Sequence, residues 1–314
     1  MQTFTNSNQL KAFMKKEANR LGISINNAYS TYISRLFLER LSKTNDGMVL
    51  VKGSSAETAY LGKLVRGITD VDLAVLEPIG EVAPVLGNAL RQDENSSNFQ
   101  FRLVREPKIT PTGIYKMSLS AEFDKTKQPL GVDVQENYDR LIEREVRTMP
   151  AIFEGDEEFK VLAPSFEEYL AEKLCIIVES NKPDVLNTRA KDFYDIYQLH
   201  GGKYSPEKLT KYFGQMLALR GKIRLEDATT MHLNQKFIRD HQAVWESTKK
   251  KYDFLYDDID LYGAVYYARA VIREELHKNG AELPPQAAPK QHYKKYRLWV
   301  LVFIVFLWYF RCRW

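Results

Sequence analysis

The chain has 314 residues, with 45 Lys and Arg against 41 Asp and Glu, a net charge of +4, and 44% hydrophobic residues. This composition excludes a disordered chain, because it supplies enough apolar side chains for the cores of about two ordinary domains. Two cysteines, Cys175 and Cys312, cannot form a disulfide framework, and the polar N-terminus has no secretory signal, so we expect a protein of the reducing cytoplasm with Cys175 as a small core residue.

The first predicted elements are helices over residues 7–42, followed by a strand over residues 48–51. The strand is a continuous apolar run, as expected for a strand that is buried on both faces. Gly53 ends it, because glycine lets the backbone turn sharply and approach a ligand closely. We expect Ser54 or Ser55 to cap the helix that follows, leaving its N–H groups and the positive end of its dipole available to a triphosphate.

Two carboxylates follow on a predicted strand. Asp70 and Asp72 alternate with Val71, Leu73 and Val75, so the acids share one face of the strand and the apolar residues share the other. Hard Mg²⁺ takes one or two carboxylates together with phosphate oxygens, and two such ions activate an attacking oxygen and stabilise a leaving one. A solvated edge strand is the alternative, although such a strand seldom has three apolar residues on its other face. The pattern predicts a metal site for nucleotidyl transfer.

Asp133 is the candidate for a third carboxylate. Val132 and Val134 flank it, which predicts another buried strand with the acid on the opposite face. Glu136 and Asp139 are close enough in the sequence to be rivals. We expect Asp133 to bind one metal ion and to orient the acceptor hydroxyl.

A long helix is predicted to begin after Ser165, which forms a capping box with Glu168. The apolar stripe of this helix consists of Phe166, Leu170, Leu174 and Ile177. Lys173 falls inside the stripe and therefore needs a partner. That partner is either a neighbouring acid, in an ion pair, or the phosphates of a nucleotide.

The next predicted helix ends near Gly202 and places Arg189 and Asp192 on the same side as apolar neighbours. Because the two residues are three positions apart, they could simply pair with each other.

A basic segment follows that has a single acid, Glu207, among its charges. Its cations are Lys203, Lys208, Lys211, Arg220, Lys222 and Arg224. Its aromatic residues are Tyr204, Tyr212 and Phe213. Basic residues interleaved with aromatic ones are compatible with RNA binding, and a merely solvated helix face is the alternative.

The chain is predicted to divide into three parts. Residues 1–160 form an α+β core, residues 161–278 form a helical domain, and residues 279–314 contain a Pro-rich linker and an apolar tail. The boundary between the first two parts is expected in an acidic loop near residues 155–164.

The C-terminal tail has thirteen uncharged residues at positions 298–310, flanked by Lys and Arg. As a helix it would span about 20 Å, which is short of the roughly 30 Å hydrocarbon core of a membrane. An interfacial anchor, a docking segment for a partner and a non-native extension from a shifted reading frame are the alternatives. The last is favoured, because the composition of the tail breaks sharply from that of the rest of the chain, and membrane contact is not expected.

Four short motifs, in this order, resemble those of the AbiEii/AbiGii nucleotidyltransferase toxins, a family of the polymerase β-like superfamily. The motifs are Lys52-Gly53-Ser54-Ser55, Arg66 with Thr69-Asp70-Val71-Asp72-Leu73, Ala171-Glu172-Lys173-Leu174 and Arg189-Ala190-Lys191-Asp192-Phe193-Tyr194-Asp195-Ile196. The resemblance covers roughly residues 20–275. Ser54 stands where the family most often has a second Gly, and the family does not explain the apolar tail.

The resemblance implies an α+β fold: a polymerase β-like core with a mixed, twisted sheet, followed by a helical C-terminal domain. It implies a bacterial toxin that is held in check by a cognate antitoxin and uses a nucleoside triphosphate. With the family's pattern in view, Asp192 is expected to line a cleft opposite the metal site, and Asp195 to lie on the helix surface or to support its neighbours.

Together, these expectations describe a nucleotidyltransferase with two Mg²⁺ ions. Its predicted metal ligands are Asp70, Asp72 and Asp133; its predicted nucleotide-binding residues are Gly53, Ser54, Ser55, Arg66 and Lys173; and Lys173 and Asp192 are also expected to act in catalysis. The favoured acceptor is the 3′ end of a tRNA, and no DNA partner is expected. A small-molecule nucleotidyltransferase of the antibiotic-modifying kind, or a non-catalytic nucleotide-binding module, is the alternative.

Overall fold

The computed structural model describes ten segments of the chain. They are residues 3–45, 47–91, 99–111, 113–136, 143–180, 189–200, 202–220, 233, 235–256 and 259–279. The chain falls into two compact units, one ending at Pro164 and one beginning at Ser165. The predicted Pro-rich linker, the apolar tail and Asp139 lie outside the described residues.

A five-stranded mixed sheet forms the centre of the first unit. Its strands are β1 (Val49–Val51), β2 (Asp70–Val75), β3 (Gln100–Ile109), β4 (Ile114–Phe123) and β5 (Thr126–Glu136). Their spatial order is β1-β2-β5-β4-β3, in which β2 and β5 are parallel and the other neighbouring pairs are antiparallel. The predicted mixed sheet is confirmed, and every residue of β1 is buried, as expected.

Helix α2 packs against the apolar face of this sheet. The helices of the first unit are α1 (Ser7–Leu21), α2 (Ile25–Thr44), α3 (Gly53–Leu61) and α4 (Ile79–Leu90). The first two confirm the predicted helices, and their caps Asn6 and Ser24 accept hydrogen bonds from N–H groups of the first turn. Helix α2 contacts β2 and β5, whose apolar residues are fully or almost fully buried. Asp70, Asp72 and Asp133, which alternate with these apolar residues, therefore lie on the other face.

The predicted acidic loop near residues 155–164 is only partly a loop. Strands β6 (Arg144–Met149) and β7 (Phe159–Pro164) pair as a separate antiparallel ribbon. Val161 and Ala163 alternate with less buried residues, so β7 can present an apolar face to the core, which the acidic residues before it obscured in the sequence.

The described part of the second unit is helical apart from its connections, as predicted. Its helices are α5 (Phe166–Ser180), α6 (Ala190–Gln198), α7 (Pro206–Arg220), α8 (Gln235–Tyr252) and α9 (Leu261–Asn279). The predicted cap is present, since the Glu168 N–H donates to Ser165 Oγ at 3.3 Å. Cys175 is a buried core residue, also as predicted. Across the described segments, none of the helices is both long and apolar enough to cross a membrane.

Candidate active site

The turn between β1 and α3 forms the first part of the candidate site. Helix α3 begins at Gly53 with Lys52 as its N-cap, and no side chain caps it. The expected cap by Ser54 or Ser55 is therefore wrong. Gly53 adopts φ +58°, so the chain turns into the helix directly after the strand, and the two serines already belong to its first turn.

The two serine side chains have properties of a binding site. Ser54 and Ser55 are 4% and 1% exposed, and neither hydroxyl has a hydrogen-bond partner among the described residues. Buried hydroxyls are normally paired, so two unpaired ones in a single turn require a partner that the polypeptide does not supply. The first N–H groups of a helix also lack acceptors within the helix and favour anions. This turn therefore fits a phosphate group.

The predicted carboxylates lie beside this turn. Val71 and Leu73 are buried, whereas Asp70 and Asp72 are partly exposed, which confirms the predicted alternation along β2. In the parallel pairing of β2 with β5, Asp72 lies opposite Asp133. Neighbouring strands are about 4.8 Å apart, so these two acids are close neighbours on one face of the sheet. Asp70 is one step further along the same face, opposite Gly131.

The turn is joined directly to the carboxylate strand. The Lys52 N–H donates a hydrogen bond of 2.8 Å to the backbone carbonyl of Asp72. This bond continues the β1–β2 pairing to the residue before Gly53. The position of Asp72 relative to the turn at Gly53 is therefore determined by the sheet.

Asp133 is engaged by a lysine that the sequence did not single out. Lys116 lies opposite Asp133 in the antiparallel pairing of β4 with β5, and its ammonium group forms an ion pair with Asp133 Oδ2. Glu136, the rival of Asp133 as the third carboxylate, lies opposite Val75. It is an odd number of positions from Asp133 along β5 and is therefore on the other face of that strand. Lys116 could be identified only from the strand register, because it is far from every motif in the chain.

The donor set fits a hard cation, although the side chains are not gathered around one point. Asp70, Asp72 and Asp133 are carboxylates on one sheet face, which is the ligand chemistry that Mg²⁺ prefers. Among the described residues, no group of three or more His, Cys, Asp and Glu side chains is arranged as a metal site. One oxygen of Asp133 is already engaged in the ion pair with Lys116.

Lys52 is a second basic residue at this site. It is 7% exposed, and its Nζ donates to Gln135 Oε1 at 3.2 Å. Gln135 is two residues from Asp133 and shares its face of β5. The buried ammonium group of Lys52 thus joins the turn at Gly53 to β5, the strand that contains Asp133. Lys52 begins the first of the four family-like motifs, but its type and position in the sequence predicted no role for it.

Arg66 is placed away from solvent. It is 2% exposed, and its guanidinium lies 3.9 Å from the fully buried carboxylate of Glu57 on α3. Such a pair orients α3 from within the first unit. The predicted contact of Arg66 with a nucleotide stays a prediction.

The second unit contains a buried charge cluster around Lys173. Its Nζ donates to Asp192 Oδ1 at 2.8 Å and to Asp195 Oδ2 at 2.6 Å, and both aspartates are fully buried. The predicted need of Lys173 for a partner is confirmed, and the ion-pair alternative is present. Arg189 pairs with Asp192 at 2.7 Å, as its spacing indicated.

Asp195 corrects one expectation. It was predicted on the helix surface or in a supporting position, and the surface position is wrong, because Asp195 is 0% exposed. It supports Lys173 instead. The roles predicted for Lys173 with phosphates, and for Asp192 in a cleft, stay predictions.

The basic segment is only partly described. Lys203, Lys208 and Lys211 are exposed on or before α7, whereas Lys222 and Arg224 lie outside the described residues. Its aromatic residues do not alternate with the lysines on the surface. Tyr212 and Phe213 are buried in the core of the second unit, so they are not available for stacking on bases.

Comparison with known proteins places the chain among toxins. The sequence profile described as "Nucleotidyl transferase AbiEii toxin, Type IV TA system" matches residues 50–273. No curated protein matches the sequence. MenT4, nucleotidyltransferase toxin Rv2826c from Mycobacterium tuberculosis H37Rv, is similar in structure with a TM-score of 0.58 and 14% identity, over 92% of this chain and 98% of that one. JHP933 from Helicobacter pylori aligns with a TM-score of 0.45 and 19% identity, over 88% and 98% of the two chains.

Proposed function

Because the chain belongs to the AbiEii family of nucleotidyl transferase toxins of type IV toxin–antitoxin systems, we propose that it transfers a nucleoside monophosphate to the 3′ end of an RNA. The family implies a nucleoside triphosphate as substrate and a cognate antitoxin as partner. The favoured acceptor is tRNA, and the site of action is the cytoplasm. The observation that carries the proposal is the position of Asp72 beside both Gly53 and Asp133.

The phosphates of the nucleotide are bound by the turn after β1. The unpaired hydroxyls of Ser54 and Ser55 and the first N–H groups of α3 supply donors for the phosphate oxygens. Lys52, buried next to this turn, adds positive charge. Such fixed donors lower the barrier because they are already oriented before the substrate arrives.

The carboxylates act on the reacting oxygens. Asp70, Asp72 and Asp133 would hold Mg²⁺, which would neutralise charge on the phosphates and activate the attacking hydroxyl. Asp133, on the central strand β5, orients the acceptor hydroxyl. The hydroxyl oxygen attacks the α-phosphorus and its proton passes to water, the bond to the β-phosphate oxygen breaks, and pyrophosphate leaves.

The second unit contributes Lys173 and Asp192 in this proposal. Lys173 is proposed as a phosphate ligand, and its ammonium group is oriented by ion pairs with Asp192 and Asp195. The exposed lysines of α7, Lys208 and Lys211, contact RNA. Their replacement by Ala, together with Arg220 and Lys222, should flatten the salt dependence of RNA binding, by about one unit of slope for each phosphate that is no longer neutralised.

The experiment that tests the function is a labelling reaction. The purified protein is incubated with Mg²⁺, one labelled nucleoside triphosphate at a time and total bacterial RNA, and the products are separated by size. Label is expected in the tRNA fraction with one preferred nucleotide, and not with the Asp72→Asn variant. The proposal would be contradicted if the label entered a small molecule, or if no RNA became labelled.

A further inference from the structure

The polar face of the five-stranded sheet continues beyond the carboxylates towards its edge. Asp72 lies opposite Asp133, Asp133 lies opposite Lys116, and Lys116 lies opposite Lys108 on the edge strand β3. These four residues form one row across the sheet, because residues that are paired in register point to the same face. Since strands are about 4.8 Å apart, Lys108 is roughly 14 Å from Asp72.

A second row runs beside the first. Asp70 lies opposite Gly131, Gly131 opposite Ser118, and Ser118 opposite Arg105. The guanidinium of Arg105 donates to Ser118 Oγ at 3.0 Å, which confirms that the two side chains share a face. Both rows therefore begin at a carboxylate on β2 and end at a cation on β3.

The cations at the ends of these rows are not neutralised. Within the described part of the chain, Arg105 bonds only to a neutral hydroxyl and Lys108 has no acidic partner. By contrast, Arg102, further along β3, is 3.3 Å from Glu122. The part of β3 that is in register with the carboxylates thus has two cations, Arg105 and Lys108, and one exposed acid, Glu106, for which the described residues show no ion pair with either cation. Arg105 and Lys108 are both exposed.

We propose that Arg105, Lys108 and Lys116 form a docking surface for the phosphate backbone of the acceptor RNA, which leads its 3′ end to the carboxylates. The inference rests on the proposed transfer to RNA and adds where the acceptor strand lies. A polyanion fits because the surface is cationic, and the terminal hydroxyl must reach the carboxylate end of the same face. A span of roughly 14 Å accommodates only the last few nucleotides.

A structural explanation exists for part of this pattern. Charged residues on an edge strand prevent the strand from pairing with other chains. That explanation applies to Arg105 and Lys108 on β3, but not to Lys116, which lies on the inner strand β4 and joins the edge to Asp133. Protection of the edge also does not require that the cations stand in register with the carboxylates.

The test is RNA binding by the full chain, measured with a short fluorescent RNA over a range of KCl concentrations. The Arg105→Ala/Lys108→Ala variant is compared with Lys11→Ala/Lys15→Ala, which removes two exposed lysines from α1. The sheet variant should bind more weakly, and the slope of log K against log salt should be less steep by about 1.4 units, at about 0.7 for each neutralised phosphate of a single strand. The α1 variant should behave like wild type.

One further variant and a second probe complete the experiment. The swap Arg105→Lys/Lys108→Arg keeps both charges and should restore binding, and a thermal melt of each variant checks the fold. If wild type binds RNA and the sheet variant matches the α1 variant, the docking surface is wrong while the proposed function stands. If wild type neither binds nor labels RNA, the proposed acceptor fails and the surface with it. If poly-glutamate binds this surface and RNA does not, its partner is an acidic protein and the RNA assignment is overturned.

Discussion

A Cβ atom added to Gly53 would lie 1.9 Å from Oδ2 of Asp72 and 2.8 Å from its Cγ. The backbone of the turn at Gly53 is thus in direct contact with a carboxylate of the candidate metal site. No other residue type can take this position without moving the carboxylate. The contact makes the glycine a requirement of the site itself, in addition to its role in the turn.

Gly53→Ala should therefore abolish activity while the protein still folds. The left-handed backbone at φ +58° costs an L-residue about 1 to 2 kcal/mol, and the new methyl group must displace the Asp72 side chain. Gly62→Ala is the matched control, because Gly62 has φ +64° but nothing within 4 Å of an added Cβ. Both variants should melt at a lower temperature than wild type, and only Gly53→Ala should fail to label RNA. Equal activity in the two variants would contradict the contact.

Asp72→Asn should lower nucleotidyl transfer by several orders of magnitude without unfolding the protein. The amide keeps the shape of the side chain but removes the charge that attracts metal ions. Its stability without metal should rise slightly, because neighbouring carboxylates on one sheet face repel each other. Asp240→Asn, at an exposed surface pair with Lys236, is the control. The readouts are label transfer and growth of a bacterial host without the antitoxin; a folded variant with wild-type transfer would remove the basis of the proposed chemistry.

Lys173→Met should destabilise the second unit strongly. It leaves Asp192 and Asp195 buried without their common cation, and breaking a buried ion pair in this way costs about 3 to 5 kcal/mol. Lys236→Met, which breaks an exposed pair with Asp240, should cost at most about 1 kcal/mol. Urea unfolding of both variants gives the two free energies.

A second variant separates stability from catalysis at Lys173. Replacing Lys173 by Met together with Asp192→Asn and Asp195→Asn removes all three charges and should recover much of the stability. If this variant is stable and inactive, the cluster acts on the nucleotide. If its activity equals that of wild type, Lys173 is only a structural residue.

Lys116→Met should strengthen binding of a divalent cation to the carboxylates. Lys116 holds Asp133 in an ion pair and competes with a metal ion for the same oxygen. A partly exposed pair is worth about 0.2 to 1 kcal/mol, so the gain in affinity should be between about 1.4-fold and fivefold. A calorimetric titration with Mn²⁺ measures this affinity independently of enzymatic activity. Lys127→Met, which breaks a pair with Glu122 instead, should leave Mn²⁺ binding unchanged; a weaker Mn²⁺ affinity in Lys116→Met would reverse the argument.

Local patterns in the sequence predicted local structure well. The alternation along residues 70–75 places Asp70 and Asp72 on one face, and Ser165 caps the helix that follows it. These features depend on backbone periodicity and on contacts between residues a few positions apart, which the sequence contains directly. The failure at Ser54 and Ser55 is also local. Gly53 already enters the helix, and a cap residue cannot be distinguished from a first-turn residue by its type alone.

By itself, the sequence determined which residue types could do the chemistry and the order in which they occur. Only the tertiary structure decided which of them meet: Asp72 with Asp133, Asp133 with Lys116, and Lys173 with both aspartates of α6. Strand register depends on how an entire apolar face is buried and on the turns between strands, and a shift by one residue would move every side chain to the other face. No short motif encodes that choice, because it is made by contacts between segments that are far apart in the chain.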